Sequence, residues 1–322
     1  MDIIEKIAAD LKLDKTYVSE IAKYASSRYK EYSIPKRSKG LRYIAQPSPE
    51  LKTLQYWIVD NIISKLPVSS FACAYKKGDS IKKHALLHKM SRFMLYADIR
   101  NFFPSIHPDL LQTVLITNKA IFDDLDLDFA DSITDISNIC FRNNALTIGA
   151  VSSPAISNAV MYEFDIALSN FCEKNNYVYS RYADDIYISS KTFIDASIVD
   201  VLKKELEKYS FKLNTDKTRF LSRKYQRRVT GIVITDSSEI SIGTQRRNLI
   251  KKYVYNKLVH GKGDSEQILG YLSFLKDIEP KTYNNIIIKY SRYCNGDIFE
   301  AIKNNSPKNS QHAYSIPTIR IK

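Results

Sequence analysis

The stretch YVYSRYADDIYIS, from Tyr177 to Ser189, places two adjacent aspartates between runs of aromatic and β-branched residues. The flanking runs favour β-strands. Successive residues of a strand point to opposite faces, so Asp184 and Asp185 cannot both serve one site from the middle of a regular strand. The pattern therefore predicts a β-hairpin with Ala183, Asp184 and Asp185 at its tip.

Two carboxylates held this close repel each other and raise each other's pKa unless a cation lies beside them. A third carboxylate is available at Asp98, in RFMLYADIRNFFPSI (Arg92 to Ile106), which predicts a buried strand that ends near Asp98 and turns at Pro104. Three carboxylates on adjacent strand ends can hold two divalent cations about 3.5–4 Å apart, as in nucleotidyl transfer. The alternative is that Asp-Asp forms only a polar turn.

Other segments alternate between helical and extended patterns. Residues 2–30 predict two short helices, Ser33 to Glu50 a hairpin or loop, and Glu50 to Leu66 a helix. A Ser-Ser-Pro start predicts one helix from Ser152 to Phe171. FKLNTDKTRFLS and RRVTGIVIT read as strands, and the C-terminal third returns to helices. The order indicates an α+β fold.

The chain is basic, with 48 Lys and Arg against 35 Asp and Glu and a formal net charge of +13. Between Val201 and His260 there are 15 Lys and Arg against five acids. Such an excess indicates a polyanionic partner, with nucleic acid the leading candidate, although solvated helix faces also carry lysine runs.

The four cysteines lie far apart, so neither a zinc ribbon nor a disulfide framework is indicated. The N-terminus does not resemble a signal peptide, and no apolar run approaches membrane-spanning length. These features predict a cytoplasmic protein without a membrane partner.

Several motifs together resemble the reverse transcriptases. RYADD (181–185) and ADIRNFF (97–103) resemble the two catalytic palm motifs of that family. The chain is most similar to bacterial retron enzymes, through QPSPELKTLQ (46–55), Val-Thr-Gly (229–231) and GYLSF (270–274). The motifs occur in family order.

The resemblance implies a right-hand polymerase with fingers, a palm of antiparallel sheet packed on helices, and a helical thumb. Its parts would be N-terminal helices and fingers over 1–95, a palm over 92–240 with some fingers inserted around 105–150, and a basic helical thumb over 241–322.

The resemblance also assigns roles within the site. Asp98, Asp184 and Asp185 would bind two Mg²⁺ ions, with Mn²⁺ as a possible substitute, and Lys217 would lie near the leaving pyrophosphate as a general acid. Arg42, helped by Lys39, would grip the incoming triphosphate, although either can be a solvated loop charge. Phe103 would crowd the sugar 2′ position, or pack in the core, or both. Gly149 belongs to the same nucleotide-binding set.

Primer and template contacts are expected from the hairpin and from the basic stretch. Tyr182 and Ala183 would face the primer end and shape the hairpin. The basic residues would track the duplex backbone through its phosphates; they are Arg227, Arg228, Arg246, Arg247, Lys251 and Lys252.

Two departures from the family pattern stand out. In TIGAVSSP (147–154), Ile148 replaces a glutamine that usually makes a contact near the nucleotide sugar. In HALLH (84–88), His84 replaces an asparagine of the retron motif, while Ala85 and His88 match. Two histidines four residues apart can bind zinc on a helix, but the glutamate of an H-E-x-x-H site is missing.

The resemblance predicts an RNA-directed DNA polymerase of retron type. Such enzymes copy part of a cognate structured noncoding RNA, starting from a 2′-hydroxyl of an internal guanosine, and give a branched RNA–DNA molecule (msDNA). The implied partners are that RNA, its DNA product, dNTPs and a separate effector protein in antiphage defence.

Alternatives are a group II intron or diversity-generating reverse transcriptase, an RNA-dependent RNA polymerase, which Phe103 disfavours, or a catalytically silent RNA-binding protein. The aspartate-rich segment from Asp123 to Asp135 lacks the glycine and glutamate of an EF-hand, which favours a solvated insertion.

Overall fold

A computed structural model describes residues 2–36, 40–125, 129–294 and 296–304, with side chains outside 124–131. The N-terminal half begins with two capped helices and a β-hairpin, followed by further helices and the first strand of the central sheet. Its elements are α1 (Ile3–Leu11), α2 (Lys15–Lys23), β1 (Tyr29–Pro35), β2 (Leu41–Pro47), α3 (Pro49–Asn61), α4 (Ile81–Leu87), β3 (Phe93–Asp98), α5 (Pro108–Thr117) and α6 (Phe129–Cys140).

The C-terminal half contains the rest of the central sheet, a small second sheet and a helical end. Its elements are α7 (Ser153–Val160), α8 (Tyr162–Lys174), β4 (Val178–Tyr182), β5 (Asp185–Ser190), α9 (Ile198–Glu207), β6 (Arg219–Leu221), β7 (Arg227–Val229), β8 (Ile232–Ile234), β9 (Ile240–Ser241), α10 (Thr244–His260), α11 (Ser265–Ile278), α12 (Pro280–Ser291) and α13 (Ile298–Asn304).

The central sheet has the strand order β4-β5-β3-β6, and all its neighbouring strands are antiparallel. The sequence motifs predicted both the hairpin β4–β5 and the strand ending at Asp98. Tyr182 pairs with Asp185, so Ala183 and Asp184 form a two-residue turn in which Ala183 has φ +56°. The predicted α+β fold with an antiparallel sheet is confirmed.

Both faces of this sheet are buried, because alternate residues enter two different cores. Leu95 and Ala97 pack into a core with α1–α3 and α5–α9, whereas Met94 and Tyr96 contact a second core. The second core contains β7–β9, α10–α13 and Ala85 of α4. The sheet therefore lies between one layer formed by α1–α3 and α5–α9 and a second layer formed by β7–β9 and α10–α13.

Two predicted elements differ from the structure. The helix expected over 152–171 is two helices, because Met161 has φ −85° and ψ 3° and interrupts the helical backbone. In FKLNTDKTRFLS, only Arg219–Leu221 is a strand, since Asn214 to Thr218 form turns closed by backbone hydrogen bonds. The predicted domain boundaries at 95 and 240 stay a prediction.

Candidate active site

Three carboxylates meet at one end of the central sheet. Asp98 is the last residue of β3, and it pairs directly with Asp185, the first residue of β5. Directly paired residues of antiparallel strands point to the same face, so these two side chains lie together. The carbonyl of Asp184, in the hairpin turn, accepts a hydrogen bond from the Ile99 amide at 2.9 Å. The register thus brings the three predicted aspartates together.

Protein donors engage two of these carboxylates. The Tyr96 hydroxyl donates to Asp185 Oδ1 at 2.6 Å. Asn214 Nδ2 donates to Asp98 Oδ1 at 2.8 Å, and Lys217 Nζ donates to Asp98 Oδ2 at 2.7 Å. The turn after α9 therefore delivers the predicted Lys217 to the site, together with Asn214. Sequence reasoning missed Tyr96 and Asn214.

The site concentrates negative charge where solvent screening is weak. Burial, and then the Asp98 carboxylate, raise the pKa of Asp184, while Lys217 and Arg42 oppose the rise. Burial is also the largest cause that raises the pKa of Asp185 to about 6, with Asp184 and Asp98 adding to it and the Tyr96 hydrogen bond opposing it. A bound cation would relieve this conflict.

The donor chemistry of the site suits Mg²⁺, which prefers carboxylate oxygens. Asp98 is only 3% exposed, so its charge has little access to water. Among the described residues, however, no group of three or more His, Cys, Asp or Glu side chains converges on a single metal position. The present rotamers direct Asp98 and Asp185 to protein donors instead, and the metal assignment stays a proposal.

A buried ion pair between β4 and α8 stabilises the β4–β5 hairpin. Arg181 on β4 forms a bidentate pair with Asp165 on α8, with Nε–Oδ1 at 2.8 Å and Nη2–Oδ2 at 2.7 Å, and both side chains are fully buried. Tyr179 donates to the same carboxylate, and Arg181 Nη1 donates to the Ala183 carbonyl at 3.1 Å. The pair therefore fixes the backbone of the turn that carries Asp184.

The fingers hairpin β1–β2 reaches the site through Gly149. The Ala45 amide of β2 donates to the Ile148 carbonyl at 2.9 Å. Gly149 has φ +118°, and an added Cβ would lie 2.7 Å from the Ala45 carbonyl oxygen. Only glycine permits this close approach. The contact places Arg42, also on β2, within the electrostatic reach of Asp184.

Comparisons with known proteins agree with this geometry. Residues 34–234 match the family model described as "Reverse transcriptase (RNA-dependent DNA polymerase)". The chain belongs to the reverse transcriptase family. It is an RNA-directed DNA polymerase, and the relatives below place it with the retron enzymes.

Curated relatives share most of their length with this reverse transcriptase. Retron Ec83 reverse transcriptase from Escherichia coli is 32% identical over 82% of this chain and 88% of its own. Retron Ec73 reverse transcriptase from the same organism is 30% identical over 90% of this chain and 95% of its own.

A solved structure supports the fold alone. Apo telomerase from Candida tropicalis aligns with a TM-score of 0.51 at 10% identity, covering 86% of this chain and 60% of that chain. This likeness, with the antiparallel palm sheet and the helical C-terminal part, agrees with the predicted right-hand polymerase fold. This reverse transcriptase therefore has fingers, palm and thumb.

Phe103 and Lys39 were both predicted to contact the nucleotide, and the structure describes only Phe103. Phe103 lies in a short 3₁₀ turn, half-buried, with its ring 5.4 Å from Phe102 and 6.5 Å from Tyr75. It packs on the first core, as one of its two predicted roles requires, and its role at the nucleotide sugar stays a prediction. Lys39 lies outside the described residues.

The hairpin residues predicted to face the primer are not equally accessible. Tyr182 is half-buried and stacks on His84, with ring centroids 5.7 Å apart and planes 12° apart. Ala183 is only 5% exposed. Its left-handed backbone shapes the turn, but its methyl group is not an open contact surface. The predicted role of Ala183 in shaping the hairpin is confirmed, whereas its contact with the primer stays a prediction.

The basic residues of the reverse transcriptase divide into buried and accessible ones. Arg227 is 2% exposed and donates to the carbonyls of Ser91 and Thr235, so it cannot serve as a phosphate contact. That prediction is wrong, because charge counts do not reveal burial. Arg228 is half-buried and donates to Gln226.

The remaining basic residues lie on α10. Arg246 lies over the Phe274 ring, and Arg247 approaches Glu279 at 3.6 Å. Lys251 is half-buried, and Lys252 is exposed. Their role as template contacts stays a prediction.

The two histidines of the HALLH motif are buried against the β4–β5 hairpin. His84 Nε2 and His88 Nε2 each lie 2.7 Å from Ser180 Oγ, and His88 Nδ1 lies 2.7 Å from Ser189 Oγ. Burial lowers the pKa of His84 to about 4 and that of His88 to about 3. Neutral histidines joined to strand hydroxyls form a structural network between α4 and the palm sheet.

Two further sequence predictions concern membrane-spanning helices and the aspartate-rich segment. Among the helices it describes, none has the length and apolar character needed to cross a membrane. The aspartate-rich segment lies partly outside the described residues, so its predicted role as an insertion stays a prediction.

Proposed function

We propose that this reverse transcriptase copies part of a cognate structured noncoding RNA into DNA from the 2′-hydroxyl of an internal guanosine. The product is a branched RNA–DNA molecule, msDNA, and the enzyme acts with a separate effector protein in antiphage defence. The similarity to retron reverse transcriptases over 82–95% of their length supports this proposal.

The observation that carries the chemistry is the pairing of Asp98 with Asp185, beside the hairpin turn that contains Asp184. Asp98, Asp184 and Asp185 would hold Mg²⁺, which supplies activation of the attacking hydroxyl and stabilisation of the leaving pyrophosphate. Tyr96 orients Asp185, and Asn214 orients Asp98, through the hydrogen bonds described above.

Two cationic side chains lie near this carboxylate cluster. Lys217 lies against Asp98, where an ammonium can donate a proton to a leaving pyrophosphate oxygen. Arg42 approaches from the fingers side and suits a triphosphate, because its guanidinium forms paired hydrogen bonds with phosphate oxygens. The nucleotide would thus be held between Arg42 and the palm carboxylates.

The experiment expresses the chain together with the DNA that flanks its gene upstream. Total nucleic acid is then examined for a small DNA that stays linked to RNA until a 2′,5′-debranching enzyme is added. We expect such a DNA with the wild-type chain and none with Asp184→Asn. A wild-type chain that extends ordinary primers but yields only unlinked DNA would favour a group II intron or diversity-generating lineage instead.

A further inference from the structure

Tyr75 stands out among residues that the sequence motifs do not assign to the site. It is an aromatic residue with φ +64°, a left-handed conformation that is unusual for a bulky side chain. Strained backbone of this kind persists only where surrounding contacts fix it, and such positions cluster at functional sites. Its ring is 50% exposed, so packing alone does not explain the conformation.

The backbone that precedes Tyr75 is hydrogen-bonded to the palm, and Lys76 after it is bonded within the same loop. The Cys73 amide donates to the Arg181 carbonyl at 2.7 Å, and Asn158 Nδ2 donates to the Ala74 carbonyl at 2.8 Å. Lys76 donates to the carbonyls of Ser69 and Ser70. The loop before α4 therefore holds Tyr75 rigidly against the elements that carry the catalytic hairpin.

The Tyr75 ring lies beside Phe103, the residue predicted to contact the nucleotide sugar. It is 6.5 Å from the Phe103 ring, at an interplanar angle of 48°. Partial burial, and then the charge of Asp184, raise the pKa of the Tyr75 phenol, while Arg42 opposes the rise. Tyr75 therefore lies within the electrostatic reach of a palm carboxylate and of the predicted triphosphate-binding arginine.

The Tyr75 hydroxyl is available to a ligand. Tyr75 is 50% exposed, and its hydroxyl forms no hydrogen bond with another residue that the structure describes. A nucleotide sugar packed against Phe103 would also lie beside the Tyr75 ring, since the two ring centroids are 6.5 Å apart. Because Phe103 would crowd the 2′ side, the hydroxyl that a deoxynucleotide offers there is its 3′-hydroxyl.

The same region lacks a polar group that the family pattern predicts. Ile148 replaces the glutamine expected near the nucleotide sugar, and its backbone is bonded to β2, the strand of Arg42. An isoleucine side chain can offer no hydrogen bond there. A hydrogen bond to the sugar must then come from another side chain if this chain is to retain one.

We propose that the Tyr75 hydroxyl donates a hydrogen bond to the 3′-hydroxyl of the incoming deoxynucleotide and so replaces the hydrogen bond that Ile148 cannot make. This role rests on the proposed position of the nucleotide between Phe103, Arg42 and the palm carboxylates. Tyr75 is then a substrate-binding residue that selects nucleotides carrying a 3′-hydroxyl.

The test measures single-nucleotide incorporation of dTTP and of ddTTP, which lacks the 3′-hydroxyl, by the full chain on an RNA template. In Tyr75→Phe we expect the apparent Kd for dTTP to rise about threefold to tenfold, the range of one neutral hydrogen bond, with the value for ddTTP unchanged. Tyr56→Phe, at a 55% exposed tyrosine of α3, is the matched control and should change neither value.

Other outcomes separate this proposal from the proposed function. Equal changes for dTTP and ddTTP would indicate a packing role and overturn the Tyr75 proposal, as would no change for either nucleotide. In both cases, incorporation of dTTP by the wild-type chain would still support the proposed polymerase site. A wild-type chain that incorporates no dTTP would overturn the proposed site together with the Tyr75 role.

A second arm uses the residue at 148. In an Ile148→Gln background, which restores the glutamine of relatives, we expect the effect of Tyr75→Phe on the dTTP Kd to fall below half of its value in the wild-type background. An undiminished effect would show that Tyr75 does not replace the glutamine, and would overturn that part of the proposal.

Discussion

Gly149 shows how one residue joins the fingers to the palm. Its φ of +118° and its close approach to Ala45 leave no room for a side chain. Gly149→Ala should therefore shift β2 and with it Arg42, so that the KM for dNTPs rises by about tenfold or more. Gly231→Ala is the matched control, because Gly231 also has positive φ but has no atom within 4 Å of an added Cβ. Equal KM values in the two variants would contradict the close-approach argument.

The buried ion pair between Arg181 and Asp165 gives a second prediction about single residues. Removing one partner leaves a buried charge without compensation, so Arg181→Met should lower the free energy of unfolding by about 3–5 kcal/mol. Lys203→Met removes the exposed pair with Asp200 and should cost less than about 1 kcal/mol. Urea unfolding followed by circular dichroism measures both values. A decrease below about 1 kcal/mol in Arg181→Met would show that the pair does not stabilise the hairpin.

At the scale of the element, the histidine network between α4 and the palm sheet predicts a pH dependence. His84 and His88 are neutral in the folded chain, with pKa values of about 4 and 3, whereas an unfolded histidine has a pKa of about 6.5. The unfolded state therefore binds more protons between these values. The contribution of the two neutral, buried histidines to the free energy of unfolding is fully present above about pH 6.5. It is lost as the pH falls toward 4.

Asp184 and Asp185 have the opposite effect on the free energy of unfolding. Their pKa values are raised in the folded chain, so they increase its stability as the pH falls. A comparison of variants isolates the histidine contribution. In His84→Asn, the free energy of unfolding should fall less steeply between pH 6.5 and 4 than in wild type, while His260→Asn, at an exposed histidine of α10, should follow wild type. Unfolding measured at several pH values decides, and parallel wild-type and His84→Asn curves would contradict the network.

The catalytic hairpin shows what sequence alone can predict at this scale. β-Prone flanks around Ala183, Asp184 and Asp185 predicted the turn, and the apolar run before Asp98 predicted the strand. Tyr96 and Asn214 were missed because their roles depend on strand register and on a turn between distant segments. Arg227 was assigned wrongly, because a basic run carries no sign of which of its members is buried.

For the whole molecule, the net charge of +13 and its concentration near the C-terminal part predict a salt-dependent affinity for nucleic acid. Replacing Lys251 and Lys252 of α10 by glutamine should reduce the slope of log K against log salt by about 1 for each phosphate that is no longer neutralised. Lys203→Gln with Lys204→Gln removes the same charge from α9. Binding of an RNA–DNA hybrid at several salt concentrations should separate the two double variants, and equal slopes would exclude α10 as the binding face.

The two cores explain why the active site lies where it does. The palm sheet separates the first core from the second core. Asp98 lies at the end of β3, on the sheet face whose residues Met94 and Tyr96 contact the second core. The carboxylates are thus held by a rigid sheet and are approached by the fingers hairpin from one side. Such support fits a site that must fix reacting groups within fractions of an ångström.

Primer extension with dNTPs on an RNA template in Mg²⁺ tests the central claim that Asp98, Asp184 and Asp185 form the polymerase site. Wild type and Asp200→Asn, at an exposed aspartate of α9, should extend the primer at similar rates. Asp184→Asn should be slower by about a thousandfold, which corresponds to about 4 kcal/mol less transition-state stabilisation. Extension by Asp184→Asn at the wild-type rate would contradict the account.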